Sequence, residues 1–334
     1  MKAIVYEAYG PPDVLELKEI KEAVARDDQA LVRVRAASLN AADWHLMRGL
    51  PYLVRLINGL RKPSKPTILG GDFAGQVEAV GKNVTRFRAG DEVFGRTRSA
   101  VRPDRRDTIA TGGCAEFACV SEDLLVPKPA NSTFEQAAAV PLAALTALQA
   151  LRDKGGIQTG QRVLINGASG GVGTFAVQIA KSYGAEVTGV CSTGNLDMVR
   201  SIGADEVIDY IHDDFTKSGK RYDLIVDIAA RSLSDLRGAL TPKGTLVIIG
   251  GSAGRWINGL GRESKLRLLS PFVGQRLHPF LTKWNQEDLE VLKELTEAGK
   301  VSSVIDRTYR LSEAADAMRY LEAGHARGKI VITV

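Results

Sequence analysis

Arg162-Val163-Leu164-Ile165-Asn166-Gly167-Ala168-Ser169-Gly170-Gly171-Val172-Gly173 joins a short apolar run to a glycine-rich turn. Val172 to Tyr183 then follows with helical spacing, closed by Gly184. A strand that ends in glycines and opens a helix lets backbone approach a pyrophosphate closely. The start of the helix adds free N–H groups and the positive end of its dipole. A glycine pattern alone also fits a plain turn, so the flanking elements carry the reading. They agree with it: Glu186 to Val190, Glu206 to Ile208, Asp223 to Val226 and Thr245 to Ile249 are further short apolar runs with helical stretches between them. This alternation predicts an α/β, doubly wound parallel sheet of the Rossmann type.

The chain before this region has a different texture. Residues 1–125 hold short apolar runs, among them Ala30 to Val34, Gly75 to Val80 and Cys114 to Val120, broken by Gly, Pro and Asp turns. They predict a small β-barrel or sandwich. The change falls at Pro127-Lys128-Pro129, after which Ser132-x-x-Glu135 has the form of a capping box and Pro141 should kink or restart the helix. Near the C-terminus, Asn285 and Ser312 are placed to cap two helices ended by Gly299 and Gly324, and Lys329 to Val334 reads as a strand.

Composition narrows the classes. Of 334 residues 44% are hydrophobic and 25% charged, which excludes disorder, collagen and coiled coil as the main state. Lys and Arg exceed Asp and Glu by 44 − 39 = 5, which suits a small anionic ligand. Nucleic-acid binding needs clustered charge, and the nearest cluster, Arg96, Arg98, Arg102, Arg105 and Arg106, is interrupted by Pro103, Asp104 and Asp107, as in a solvated loop. No nucleic-acid partner is expected. Three cysteines, with no Cys-x-x-Cys, do not make a disulfide scaffold. The most apolar stretch, Ala137 to Leu151, is shorter than a bilayer span, so no stable membrane insertion is expected. The expected setting is cytoplasmic.

The cofactor can be narrowed further. NAD-type sites place an acid about 20 residues beyond the glycines, where it accepts from the ribose 2′-OH. Here Ser192 stands 19 residues after Gly173, within Cys191-Ser192-Thr193. Hydroxyls can donate to a 2′-phosphate that an acid would repel, which predicts NADPH. Tyr210 and a basic residue from elsewhere complete that reading.

Several motifs in order carry a resemblance. They are Ser38-Leu39-Asn40-x-x-Asp43-Trp44, Gly70-Gly71-Asp72-Phe73-Ala74-Gly75-x-Val77-x-x-Val80-Gly81, Phe87-x-x-Gly90-Asp91-x-Val93, Ala137-Ala138-Ala139-Val140-Pro141, the glycine loop, Gly203-Ala204-Asp205 and Gly328-Lys329. With them the chain resembles the medium-chain dehydrogenase/reductase superfamily, in its zinc-free quinone oxidoreductase branch. The resemblance implies a GroES-like β-barrel catalytic domain over residues 1–126, completed by 300–334, and a Rossmann NADP-binding domain over 127–299. It places the active site in the cleft and implies a homodimer through the edge of the Rossmann sheet, at Thr245 to Ile249 and the residues after that strand. Zinc members carry a Cys near Asn40 and a Gly-His-Glu where this chain has Gly71-Asp72, and the four-cysteine lobe is missing. No zinc site is expected. His45, His212, His278 and His325 have no metal or triad spacing.

Without a Lewis acid, acceptors that already spread negative charge onto oxygen are the easier substrates, so quinones and α,β-unsaturated carbonyls are expected. Two alternatives stay open: an NADP-dependent alcohol or carbonyl oxidoreductase of the same fold, and a non-catalytic NADPH-binding structural or RNA-binding protein. The resemblance puts Asn40 and Asp43 near the nicotinamide; Asp43 reads equally as a helix cap. Tyr52 can donate to the substrate oxygen, or is a plain aromatic. Cofactor residues are expected at Ser169, Gly170, Gly171 and Val172 around the pyrophosphate, at Ser192 and Tyr210 around the ribose, and at Gly250 and Gly251 beyond a strand end. Thr146 is placed toward the carboxamide, and Arg327 or Lys329 toward the phosphate. Residues 252–284 mix Trp, Leu and Phe with Lys and Arg, and read as a cleft cover, a dimer contact or a membrane-surface segment.

Overall fold

The computed structural model describes residues 1–97, 112–250 and 273–334. Arg98 to Arg106, Gly251 and most of the apolar, basic stretch after it lie outside the described residues. The chain divides into two compact units, Met1–Leu142 with Asn285–Ala298 and Ser303–Val334, and Ala143–Trp284 with Gly299–Ser302.

Two boundaries differ from expectation. The first unit continues to Leu142 instead of ending at 126, because Asp72 Oδ2 holds the Leu142 N–H at 2.8 Å. It also takes Asn285–Ala298, expected in the Rossmann domain. Gln286 Nε2 donates to the carbonyls of Glu122 and Leu125 (2.9 and 2.6 Å), and Asn131 Nδ2 donates to that of Thr296 (3.0 Å). These bonds tie the helix Gln286–Glu297 to the first unit, and Asn285 caps it as expected.

The second unit carries a six-stranded, all-parallel sheet. Its spatial order is Glu206–Asp209, Glu186–Cys191, Arg162–Asn166, Tyr222–Asp227, Leu240–Ile249 and Arg276–Phe280. Numbered along the chain this is 3-2-1-4-5-6, the Rossmann order, and ligands bind in such sheets where the order reverses. That point lies between Arg162–Asn166 and Tyr222–Asp227. Thr245 to Ile249 is therefore not the edge, since Arg276–Phe280 pairs alongside it; residues 252–284 contain that last strand. Fully buried Val163, Leu164 and Ile165 account for the apolar run that opens the motif.

In the first unit, Gln29–Leu39 is the central strand. Asp72–Val80 pairs with it on one side. On the other side Phe117–Ser121 pairs with its first half and Lys329–Thr333 with its second. Glu92–Arg96 and Leu125–Pro127 extend the sheet beyond Asp72–Val80, and Ile305–Arg310 lies beyond Lys329–Thr333. A separate three-stranded sheet joins Glu16–Glu19, Lys2–Tyr6 and Thr67–Ile68. Phe73, Leu39 and Met47 are among the largest of the fully buried side chains packed between these elements, each worth about 1.5–3 kcal/mol of burial.

Two caps shift by one residue. Thr133, not Ser132, caps Phe134–Ala138: its Oγ1 accepts from Gln136 N–H (3.2 Å) and Gln136 Oε1 accepts from Thr133 N–H (2.9 Å). The Ser132 N–H is occupied by the Pro129 carbonyl in the preceding turn. Ser312 lies inside the 3₁₀ turn Leu311–Glu313, which precedes Ala314–Glu322. Pro141 does restart the helix, which resumes as Pro141–Gln149.

Candidate active site

The glycine loop leaves Arg162–Asn166 at the point where the strand order reverses. Gly167 has φ +92°, which an L side chain rarely adopts. A Cβ on Gly173 would stand 2.0 Å from the Gly167 carbonyl oxygen, so the loop and the first helical turn touch through backbone alone. On Gly170 the nearest atom to a Cβ would be that oxygen at 3.6 Å, an ordinary contact. The protein's own packing thus does not demand glycine at 170, whereas a pyrophosphate lying against the loop would. No side chain caps the helix Gly171–Ser182, which leaves its first turn open to an anion.

The next strand end closes round this loop. Asn195 Nδ2 donates to Ser192 Oγ (3.0 Å) and to Ser169 Oγ (3.3 Å), so two expected cofactor residues meet through a third that the sequence did not single out. Tyr210 is exposed, and its N–H donates to the Cys191 carbonyl (3.1 Å), which places it beyond the same strand ends. Gly250 sits beyond Leu240–Ile249 with φ +74° and open space where a Cβ would be. These residues fit an NAD(P) cofactor.

Asp209 was not foreseen. It ends the edge strand directly opposite Cys191. Thr193 Oγ1 donates to it at 2.5 Å and Ile211 N–H at 3.0 Å. The Thr193 bond in particular holds its carboxyl below the usual carboxylate range. An acid is therefore close to Ser192 after all, but engaged by its neighbours. At the reversal point Asn166 Nδ2 donates to the buried Asp227 (2.6 Å). Ala230, in the loop after it, has φ +58°, a conformation costing roughly 1–2 kcal/mol in a residue other than glycine. Thr146 is buried in the same unit, its hydroxyl 2.5 Å from that of Thr282.

In the first unit the structure gathers a buried charged cluster. Asn40 follows the central strand directly and caps the helix Ala41–Arg48, and its N–H donates to Asp43 Oδ2 (2.7 Å). Asp43 thus closes the helix start as the third residue of a capping box, with Asn40 at the N-cap. Asn40 Nδ2 donates to Asp72 Oδ2 (3.0 Å), while Lys329 Nζ donates to Asn40 Oδ1 (2.6 Å) and to the Leu39 carbonyl (3.0 Å). Burial, and then the neighbouring Asp72 charge, push the Asp43 carboxyl up to about 7; Asn40 N–H, Lys329 and Arg96 oppose this. Burial also raises Asp72 and lowers Lys329.

Lys329 is consequently a correction. At 3% exposure, with its ammonium on Asn40 and Leu39, it is not the free cation expected at a cofactor phosphate. Arg327 is exposed, its N–H on Asp306 (2.9 Å). Tyr52 precedes the short helix Leu53–Asn58, and Arg55 stacks against both its ring and that of Tyr9, each 4.8 Å away.

Comparison with known proteins agrees with this geometry. Residues 26–130 match the alcohol dehydrogenase GroES-like domain and residues 202–332 the zinc-binding dehydrogenase family. The chain is 35% identical over 346 residues to a chloroplast envelope quinone oxidoreductase homolog of Arabidopsis thaliana, covering 99% of this chain and 98% of that one. The chain belongs to the medium-chain dehydrogenase/reductase superfamily, in its quinone oxidoreductase-like branch. Its two units have the GroES-like and Rossmann folds of that family. An NADPH-dependent alkenal/one oxidoreductase of the same plant is 34% identical, over 99% of this chain and 79% of that one. The crystal structure of the Escherichia coli quinone oxidoreductase complexed with NADPH superposes with a TM-score of 0.83 at 25% identity, over the whole of both chains.

Zinc, which one family description implies, does not suit the described residues around Asn40. An amide is a poor zinc ligand, and the ammonium 2.6 Å from Asn40 Oδ1 would repel a dication. No group of three or more His, Cys, Asp or Glu among the described residues could hold a metal ion.

Proposed function

We propose that this protein is an NADPH-dependent, zinc-independent reductase that delivers hydride to quinones or α,β-unsaturated carbonyls. The observation that carries this reading is the dinucleotide cradle of the second unit, supported by the Asn40 cluster of the first, whose amide and ammonium suit a hydrogen-bonded oxygen better than a zinc ion. The glycine loop, Ser169, Ser192 and Asn195 would hold the cofactor, and Asn40 and Asp43 would face the acceptor. Bound there, NADPH supplies the hydride. The residues of the chain have less demanding work: to orient the two partners, and to hold donors where negative charge collects on the acceptor oxygen. Asp43, ionising near 7, can exchange the proton that accompanies the hydride at neutral pH.

The names of the relatives support quinones and alkenones as acceptors. The hydroxyl-rich strand end supports NADPH over NADH, because the bonds that already engage Asp209 weaken its claim on a ribose hydroxyl. A homodimer would use the edge strand Arg276–Phe280, and the thiols of Cys114, Cys119 and Cys191, none of them joined in a disulfide, suit a reducing, cytoplasmic setting. No helix among the described residues is long and apolar enough to cross a membrane.

The test is loss of reduced-nicotinamide absorbance with a quinone and with an alkenone, NADPH against NADH, in the presence of a chelator. Turnover with NADPH that survives chelation is expected. Turnover abolished by chelation and restored by zinc would sink the metal-free reading.

A further inference from the structure

The proposed chemistry leaves two members of the buried cluster without a role, Asp72 and Lys329. Both are placed by the sheet. Lys329 opens the strand on one side of Gln29–Leu39, where Ile330 faces Leu39, and Asp72 opens the strand on the other, facing Ser38. Asn40 follows directly, between them. An asparagine amide can lie in either of two orientations, and here charge selects one. Its carbonyl accepts from the Lys329 ammonium and its amino group donates to the Asp72 carboxylate. The reverse would set donor against cation and acceptor against anion. Hydrogen bonds to ionised groups are roughly twice as strong as neutral ones, so two of them lock the amide. Asp72 and Lys329 are 1% and 3% exposed, which shields the pair from water.

The amino group of Asn40 has two N–H bonds, and Asp72 takes one. We propose that Lys329 and Asp72 are positioning residues of the reduction: they hold the Asn40 amide so that its second Nδ2–H donates to the acceptor oxygen as hydride arrives. This rests on the reductase reading above. It also explains the pattern at the two places where zinc members of the family carry ligands. Here Asn40 and Asp72 bond to each other, and the fixed positive charge is an ammonium. The charged groups acting on Asp43 are Asp72, Lys329 and Arg96, with Tyr6 and Cys114 neutral beside it.

The test uses the full-length protein with Lys329→Met, Lys329→Arg and Asp72→Asn, read by kcat, acceptor KM, NADPH affinity from fluorescence, and the pH profile. For Lys329→Met, kcat should fall by about 100-fold, as when a positioned donor is lost, with NADPH affinity within about twofold of wild type. The ionisation near neutrality should move alkaline, because the cation that opposes proton binding at Asp43 is gone. Lys329→Arg should recover part of the rate. Should Lys329→Met fail to fold, Asp72→Asn carries the test, with kcat expected to fall at least about tenfold. Unchanged kcat in a folded variant would overturn the proposal. So would weakened NADPH binding with unchanged kcat at saturation, which would return Lys329 to the cofactor phosphate. Wild-type protein that reduces neither acceptor refutes the reductase reading and the positioning role with it, whereas wild-type turnover with an unaffected variant refutes the positioning role alone.

Discussion

Two glycines of the same loop should fail in different ways when replaced by alanine. At Gly173 the new Cβ would lie 2.0 Å from the Gly167 oxygen and 2.8 Å from Ala168 backbone atoms. Real Cβ contacts essentially never fall under 3.0 Å, so the Gly167 carbonyl must retreat by about 1 Å. That carbonyl also accepts the Gly170 N–H (3.2 Å), so the whole turn moves. Overpacking of this kind costs about 1–3 kcal/mol, against a gain of up to about 1 kcal/mol for alanine over glycine in a helix. Gly173→Ala should therefore cost about 1–2 kcal/mol net, lower Tm by roughly 3 °C and weaken NADPH binding as well. Gly170→Ala meets only a 3.6 Å contact, and its φ of −83° suits alanine. Its Tm should match wild type, yet its NADPH Kd should rise at least tenfold, about 1.4 kcal/mol, because the added methyl stands where the pyrophosphate must approach. Thermal melts and fluorescence titration on both variants provide the check. Wild-type NADPH affinity in Gly170→Ala would refute the cradle argument, and an unaltered Tm in Gly173→Ala would refute the packing argument.

Other expectations concern charge and stacking. Folding binds a proton at Asp43, since its carboxyl titrates at about 7 in the folded chain against an ordinary value near 3.8. Its contribution to stability is therefore greatest below that ordinary value and declines as pH rises through 7, so wild type should lose Tm between pH 5 and pH 8 and Asp43→Asn should lose less. A steeper decline in the variant would contradict the assignment. Ser192→Asp should raise the KM for NADPH at least tenfold and that for NADH far less; equal effects would remove Ser192 from the 2′-phosphate. Arg55→Ala breaks two cation–π contacts and should cost about 1–2 kcal/mol in denaturant melts; a change within error would show the stack to be idle.

The elements written in local pattern were legible. The apolar runs of the Rossmann sheet, the glycine loop and the Asn285 cap need only neighbours in sequence, and each falls within a residue or two of its expected place, except that the strand expected from Thr245 begins at Leu240. What escaped depends on distant partners. Arg276–Phe280 contains His278 and Pro279 and reads poorly as a strand, but it gains its ladder from Leu240–Ile249. The helix Gln286–Glu297 looks like part of the alternating region, and its bonds to distant residues, among them Glu122, Leu125 and Asn131, assign it elsewhere. The same holds in the site. Ser169 and Ser192 were identifiable from spacing, whereas Asn195 bridges them only once the strand ends converge. Lys329 beside Arg327 looks like surface charge, and Asp72 looks like a lost zinc ligand. Their meeting on Asn40 crosses nearly the whole chain, with no local signal to announce it.

The central claim is hydride delivery to an activated double bond, and an isotope tests it most directly. The protein would be given an α,β-unsaturated ketone with NADPH carrying deuterium at the transferred position of C4, under chelator, and the product examined by NMR. Deuterium at the β-carbon of a saturated ketone is the predicted result. Deuterium on a carbinol carbon would contradict it and make the protein a carbonyl reductase of the same fold.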